Sequence, residues 1–283
     1  MKIPRYTTQK IAFSLIVAAG ISVVIPLVLV IAYIIAQGMG ALGWEFISAM
    51  PRNGMREGGV LPALVGTVWL TIGTAVTSIP LGVGAAVYLA EYAPDNPFTR
   101  TIRLAIINLA GVPSVVYGLF GLGLFVIFLR FGMSILAGSL TLGIMTLPVI
   151  ISTTEQALLA VPQSFRVVNA SLGGTAWQGI RKVILPQALP GIMTGIILGL
   201  ERAAGETAPI LFTVATFFLP RLPHSAFDQT MALPYHLFVI STQVPGMPIK
   251  IQYGTALVLM VFVLGMNLLA TLIRRHYRRR RQW

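Results

Sequence analysis

The chain has 283 residues, 56% of them hydrophobic and 10% charged, with a formal net charge of +12 and no cysteine. Soluble domains carry about 25% charged residues, so the composition excludes an ordinary soluble domain and points to a membrane protein. The missing cysteine excludes disulfides and thiolate chemistry.

Six apolar runs are each long enough to cross a bilayer, which needs roughly 20 residues. They lie at 11–36, 62–90, 104–130, 135–160, 190–218 and 253–273. Continuous apolar runs without period-two alternation exclude a β-barrel. The expected fold class is therefore an all-α polytopic membrane protein with six transmembrane helices. The first run, Ile11 to Ala36, exceeds a signal-peptide core of about 7–15 residues, so it is read as an uncleaved span. Three parts are expected. Residues 1–61 hold a basic start, the first span and an outer loop. Residues 62–218 form a core with a loop at 161–190. Residues 219–283 hold an outer loop, the last span and a basic tail.

Even-numbered crossings put both termini on one side. With the termini inside, fourteen basic residues fall in inner segments and five in outer ones, and Arg202 remains within a span. That bias follows the positive-inside rule and makes the net charge a matter of orientation, not of nucleic-acid binding. It places both termini and the loop at 161–190 in the cytoplasm, with 37–61 and 219–252 outside. Segment 219–252 carries Pro220, Pro223, Pro234, Pro245 and Pro248 and is expected to pack over the outer mouth.

The second span opens at Pro62, where a helix start tolerates proline. Its length to Ala90 is about 43 Å as helix against a core of about 30 Å, so it must tilt, bend or protrude. Pro80, Gly82 and Gly84 offer a bend. Pro113, Pro148 and Pro209 lie inside the third, fourth and fifth runs, a pattern that suits either plain packing or a bundle that changes shape. Thr67, Thr71, Thr74, Thr77 and Ser78 enrich the second span and are expected to bond their own helix or a neighbour. Glu91 and Asp95 read as solvated loop residues. Glu155 reads as an interfacial or partner-facing residue near the cytoplasmic end of the fourth span.

The loop VPQSFRVVNASLGGTAWQGIRKVILPQALP (161–190) has internal design. Phe165, Val168 and Leu172 fall at i, i+3 and i+7, and Trp177, Ile180 and Ile184 repeat that spacing. Gly173-Gly174 stands between them. Thr175 with Gln178 has the form of a capping box. Two short amphipathic helices with a glycine elbow, ended by Leu185-Pro186, are expected. A mere connector needs only a handful of residues, so the loop is built to be gripped by a partner.

In the fifth run, Glu201, Arg202 and Glu206 sit about halfway along. An isolated charge at the bilayer centre costs roughly 2.5–3.5 kcal/mol on insertion scales, so three in one span need a pathway or partners. Arg202 and Glu206 are one helical turn apart and can pair. Glu201 points elsewhere, toward a neighbouring helix. Gly191, Gly195, Gly199 and Ala203 form a small-residue ridge for close helix approach. A pair that only locks the bundle is one reading. The other is a charged translocation lining, in which the Arg202 guanidinium suits phosphate or another oxyanion and Glu206 keeps binding weak enough for release.

No GxxxxGK[ST] motif is present, and none of Lys2, Lys10, Lys182 and Lys250 closes a P-loop. His224, His236 and His276 are scattered, so no metal site is expected. No nucleophile–base pair presents itself, and the chain is read as non-enzymatic.

The loop resembles the cytoplasmic EAA loop of ABC-importer permeases, with Gly173 as its glycine, Val183 in the isoleucine position and Leu185-Pro186 as its ending. The E-A-A positions read Val167, Val168 and Asn169, a departure. The stretches 58–71, 80–94, 108–122, 146–162 and 201–213 (ERAAGETAPILFT) resemble phosphate-importer permeases of the PstA type. The resemblance covers most of 58–218 and implies a type I ABC-importer permease fold in the plasma (inner) membrane. It further implies a sister permease as heterodimer partner, two cytoplasmic ATPase subunits that hydrolyse ATP, and an external phosphate-binding protein. The chain itself would bind no cofactor. Phe165, Val168, Leu172, Gly173, Trp177, Leu185 and Pro186 would then form the ATPase coupling site, and Arg202, Glu206 and Glu201 the substrate pathway. Another oxyanion (molybdate, sulfate, phosphonate) and, further off, a secondary transporter are the alternatives.

Overall fold

A computed structural model describes the backbone of residues 5–171 and 173–279. Helix α1 (Arg5–Gly38) is apolar on all sides, and the central part of this helix buries no face within the chain. Its far end meets α12 (Ile249–Arg279), where Tyr33 and Tyr253 pack edge to face at 5.4 Å. A short helix α2 (Trp44–Ser48) and a small antiparallel ribbon, β1 (Pro51–Arg52) with β2 (Glu57–Gly58), fill the following loop.

Helix α3 (Leu61–Val87) runs into a π turn at Tyr88–Tyr92. Helices α4 (Pro97–Ala110) and α5 (Ser114–Gly121) follow, and a second π turn, Leu122–Phe128, extends α5. Helix α6 (Ile135–Leu159) is the centre of the bundle, packed between α3 and α9 (Leu185–Gly205). Its Leu142, Met145, Ile150 and Leu158 are fully buried. Thr67, Thr71, Thr77 and Ser78 of α3 donate to carbonyls of their own helix, which lets hydroxyls sit in an apolar bundle.

The glycine ridge of α9 is what admits α6. A Cβ built on Gly191 would lie 2.5 Å from Ala157 Cβ, on Gly195 2.8 Å from Thr153 Cβ, and on Gly199 3.0 Å from Ile150 Cγ1. The two helices thus mesh at four-residue steps, backbone against side chain. Gly195→Leu is expected to cost about 1–3 kcal/mol by overpacking, read as a lower melting temperature of the detergent-purified protein. Gly84→Leu, where a built Cβ meets no atom beyond its own helix backbone within 4 Å, should leave that temperature nearly unchanged.

Among the described residues, five helices or joined helices are long and apolar enough to cross a membrane: Gln9–Ala41, Leu61–Tyr92, Ile135–Leu159, Ala176–Gly205 and Ile249–Arg275. The bent pair Pro97–Ala110 and Ser114–Phe128 brings the number to six if it counts as one crossing. The expected third span is therefore not a continuous helix over 104–130. It turns by 101° at its break. Pro113 lacks an N–H and pushes the preceding residue out of helical geometry, and Gly111 and Val112 close a tight turn onto Asn108 O and Leu109 O.

The fifth run differs as well. The crossing helix starts earlier and stops at Gly205. Glu206 is extended (φ −76°, ψ 137°), and α10 (Ala208–Thr213) restarts after it. Pro209 has no N–H to donate to the carbonyl four residues back, that of Gly205, and its ring crowds that carbonyl, so a regular helix does not run through and the run that hydropathy joined is split. Residues 219–252 hold α11 (Leu233–Thr242), whose Leu233, Val239 and Ile240 are buried in one cluster with Phe46, Met55 and Val60. The Leu233 N–H donates to Thr67 Oγ1 at 2.8 Å, so this segment is stitched onto the start of α3.

Candidate translocation site and coupling loop

Arg202 and Glu206 stand at the end of α9, not in its middle. Arg202 Nε lies 3.4 Å from Glu206 Oε1, with side-chain exposures of 34% and 18%. The pair bridges the break: Arg202 is in the last helical turn, where a cation suits the helix dipole, and Glu206 is in the extended residue beyond it. The expected pairing is present, but it holds a helix end together instead of running along a helix.

The second break comes to the same place. Gly118 of α5 faces α10 so closely that a Cβ there would lie 3.0 Å from Pro209 Cα and 3.1 Å from Ala208 O. Tyr117 donates from its hydroxyl to Leu109 O at 2.8 Å, across the α4–α5 bend, and shares a buried cluster with Ala203 and Ile210. Non-helical backbone at membrane depth is tolerated where it is buried in protein or lines a cavity. Two such breaks therefore meet beside the Arg202–Glu206 pair.

Glu201 is not brought to that pair. It lines an apolar groove of about 180 Å³ between α9 and α12, with Met193, Leu200, Met266 and Leu269 among its walls. Its Oε1 is buried with no hydrogen-bond partner among the described residues. We assign it to the α9–α12 contact.

The loop after α6 forms α7 (Gln163–Ser171) and α8 (Ala176–Gly179). The elbow is as expected: Gly173 adopts φ +71°, a region that favours glycine. The capping box is formed, with the Thr175 N–H donating to Gln178 Oε1 at 2.9 Å and the Gln178 N–H to Thr175 Oγ1 at 3.3 Å. Asn169, in the third E-A-A position, braces the elbow by donating to Thr175 O. The expected end at Leu185-Pro186 is corrected. A π turn at Ile180–Ile184 joins α8 to α9, so the helix runs on into the membrane. In that wider turn the Leu185 N–H donates to Ile180 O, which makes room for a proline ring that would crowd a regular helix.

The coupling candidates divide into two faces. Val168 (57% exposed) and Trp177 (53%) lie on the surface, and Val167 (61%) joins them. Phe165 and Leu185 pack inward against the cluster of Leu89, Ile180 and Ile184. Pro186 is half-buried at the start of α9. Leu172 lies outside the described residues. Val167 is a docking candidate that spacing alone passed over. Its signal was an apolar pair, Val167-Val168, on a helix facing water.

One ion pair ties the loop to the bundle and a second joins α4 to α6, and both correct the expectation of solvated or partner-facing acids. Glu91 is nearly buried and receives two bonds from Arg166, at 2.8 and 3.3 Å. Glu155 is buried and receives one from Arg103 Nε at 2.7 Å. Asp95 does stay exposed, paired with Arg100 at 3.0 Å, and the Arg100 guanidinium holds its carboxyl below the usual carboxylate range.

A polytopic bundle with broken helices around a charge pair, and a folded loop between two spans, suits a transport permease. Residues 78–283 match the family described as "Binding-protein-dependent transport system inner membrane component". The probable ABC transporter permease protein YqgI of Bacillus subtilis is 34% identical, with 94% of this chain and 95% of that one covered. The phosphate transport system permease protein PstA of Mycobacterium leprae is 33% identical over 97% of this chain and 91% of its own. Among solved structures, a bacterial importer of the polysaccharide alginate superposes with a TM-score of 0.69 at 11% identity, covering 96% of this chain and 98% of that one. The inward-facing MetNI methionine transporter gives 0.63 at 18% identity, covering 77% and 95%. The chain belongs to the binding-protein-dependent inner-membrane components, as an ABC-importer permease of the PstA type. It is a multi-pass membrane protein and a non-catalytic subunit, ATP hydrolysis belonging to partner subunits.

Proposed function

We propose that this chain forms half of the phosphate path of an ATP-driven importer in the plasma (inner) membrane. Both termini and the 161–190 loop face the cytoplasm, as the charge bias favours. A sister permease completes the path, two ATPase subunits grip the loops, and an external phosphate-binding protein delivers the ion. The chain holds no cofactor of its own.

The observation that carries the reading is Arg202, set with Glu206 where two broken helices meet. Arg202 offers a planar fork of donors for a tetrahedral oxyanion. Glu206 competes for the same donors and keeps occupancy brief. Kinship with PstA permeases supports phosphate over other anions. Closure of the ATPases would press on α7 and α8, and α9, continuous with α8, would carry that displacement to the Arg202 end.

The test is to purify the chain with its partners and measure ATP turnover in proteoliposomes loaded with binding protein and one anion at a time. Phosphate is expected to stimulate turnover. Stimulation by sulfate, molybdate or a phosphonate instead reassigns the substrate. Uptake that persists with no ATPase present makes the chain a secondary carrier.

A further inference from the structure

Arg166 is bound on every side. Its guanidinium donates twice to Glu91, once to Val161 O at 2.7 Å and once to Leu158 O at 3.1 Å. Leu158 O and Val161 O lie at the C-terminal end of α6, where carbonyls lack intrahelical partners. Glu91 lies in the π turn that ends α3. One side chain on α7 thus fastens the ends of two membrane helices.

Arg103 on α4 repeats the arrangement from the other side. It donates to Glu155 of α6 at 2.7 Å and to Leu89 O at 2.8 Å. Leu89 belongs to the same π turn as Glu91, and Glu155 sits about one turn before Leu158. The two guanidiniums therefore bracket the α3 π turn and tie it to α6. Arg103 also brings in α4, whose bend leads to α5 and the break beside Arg202.

We infer that Arg166 is the positioning residue that transmits coupling-loop displacement into the bundle, and that Arg103 passes it to the bent pair. The inference rests on the reading of 161–190 as the ATPase-gripped loop. The apolar face of Val167, Val168 and Trp177 would receive the push, and the Arg166 fork would deliver it. Arginine suits this work because its planar donors are held by several acceptors at once, whereas a lysine ammonium in the same place can swivel. Loop and helix ends then move as one body. Half-buried, charge-assisted bonds hold their geometry better than exposed pairs do.

The test uses the assembled complex in proteoliposomes and counts phosphate ions imported per ATP hydrolysed. Arg166→Lys leaves the docking face intact, so the ATPase should remain bound and active. Import per ATP is expected to fall about tenfold, within the range by which residues along a coupling route alter linkage. Arg166→Glu should fall further, and Arg166→Glu with Glu91→Arg should recover part of the loss. Unchanged import per ATP in Arg166→Lys would overturn the inference. A native-clamp measurement covers variants that assemble poorly. The chain has no cysteine, so spin labels can be placed on Ser164→Cys and Thr101→Cys in a complex with cysteine-free partners. The distance between them should stay the same with and without ATP. A change on ATP binding overturns the inference. A wild-type complex in which phosphate does not stimulate ATPase would count against the proposed function instead.

Discussion

Replacing Arg202 with alanine is expected to reduce phosphate uptake about 10- to 100-fold while the complex still assembles. The estimate follows from a charge-assisted hydrogen bond worth about 1.5–3 kcal/mol, at roughly tenfold for each 1.4 kcal/mol. The loss would come from the missing fork and from Glu206, left as an unpaired carboxylate facing an anion. Arg202→Lys keeps the charge but not the planar donors and should fall between wild type and alanine. Glu206→Gln should raise apparent affinity and slow turnover, because the competitor for the guanidinium is gone. Normal uptake by Arg202→Ala would reduce the pair to a staple across the α9 break.

Trp177→Asp should detach the ATPase. Trp177 is more than half exposed on a helix held by its own capping box, so the substitution leaves the fold intact. Buried interface tryptophans commonly contribute 2 kcal/mol or more, and a carboxylate in an apolar groove adds a desolvation cost. Loss of co-purifying ATPase with normal membrane insertion is the expected result. Retention of a substrate-stimulated ATPase would rule out this face as the dock. Phe165→Asp provides the contrast. Phe165 packs toward Ile180 and Ile184, so its replacement should lower the thermal stability of the purified protein as well as coupling.

The loop itself illustrates how far local chemistry reaches. Capping box and glycine elbow depend on residues three to five apart, and both appear where spacing put them. The exposed or inward direction of each apolar side chain depends on what α7 leans against. Val168 and Phe165 share one heptad-like pattern, yet one faces out and the other faces Leu89 and Ile180. Leu185-Pro186 reads as a helix stop by propensity, and the π turn before it removes the steric reason to stop.

The same division holds for the charges. Arg202 and Glu206 are four residues apart, so their meeting was legible. Arg166 with Glu91 and Arg103 with Glu155 are separated by 75 and 52 residues. No periodicity links such distant positions.

The sequence by itself determined the class. A run of apolar residues has to be helical in lipid, because backbone groups find no water there. The count of long runs, the elbow of the 161–190 loop and the glycine ridge of α9 all follow from composition and short-range spacing. Tertiary structure alone decided where the runs break, which helix the ridge admits, and which charges meet. Hydropathy averages over the neighbours of Pro113 and Pro209 and cannot see that α5 and α10 support each other's broken ends. It cannot see that two arginines close the C-terminal ends of α3 and α6. Those outcomes depend on contacts between distant segments, and only the packed bundle brings those segments within hydrogen-bonding reach.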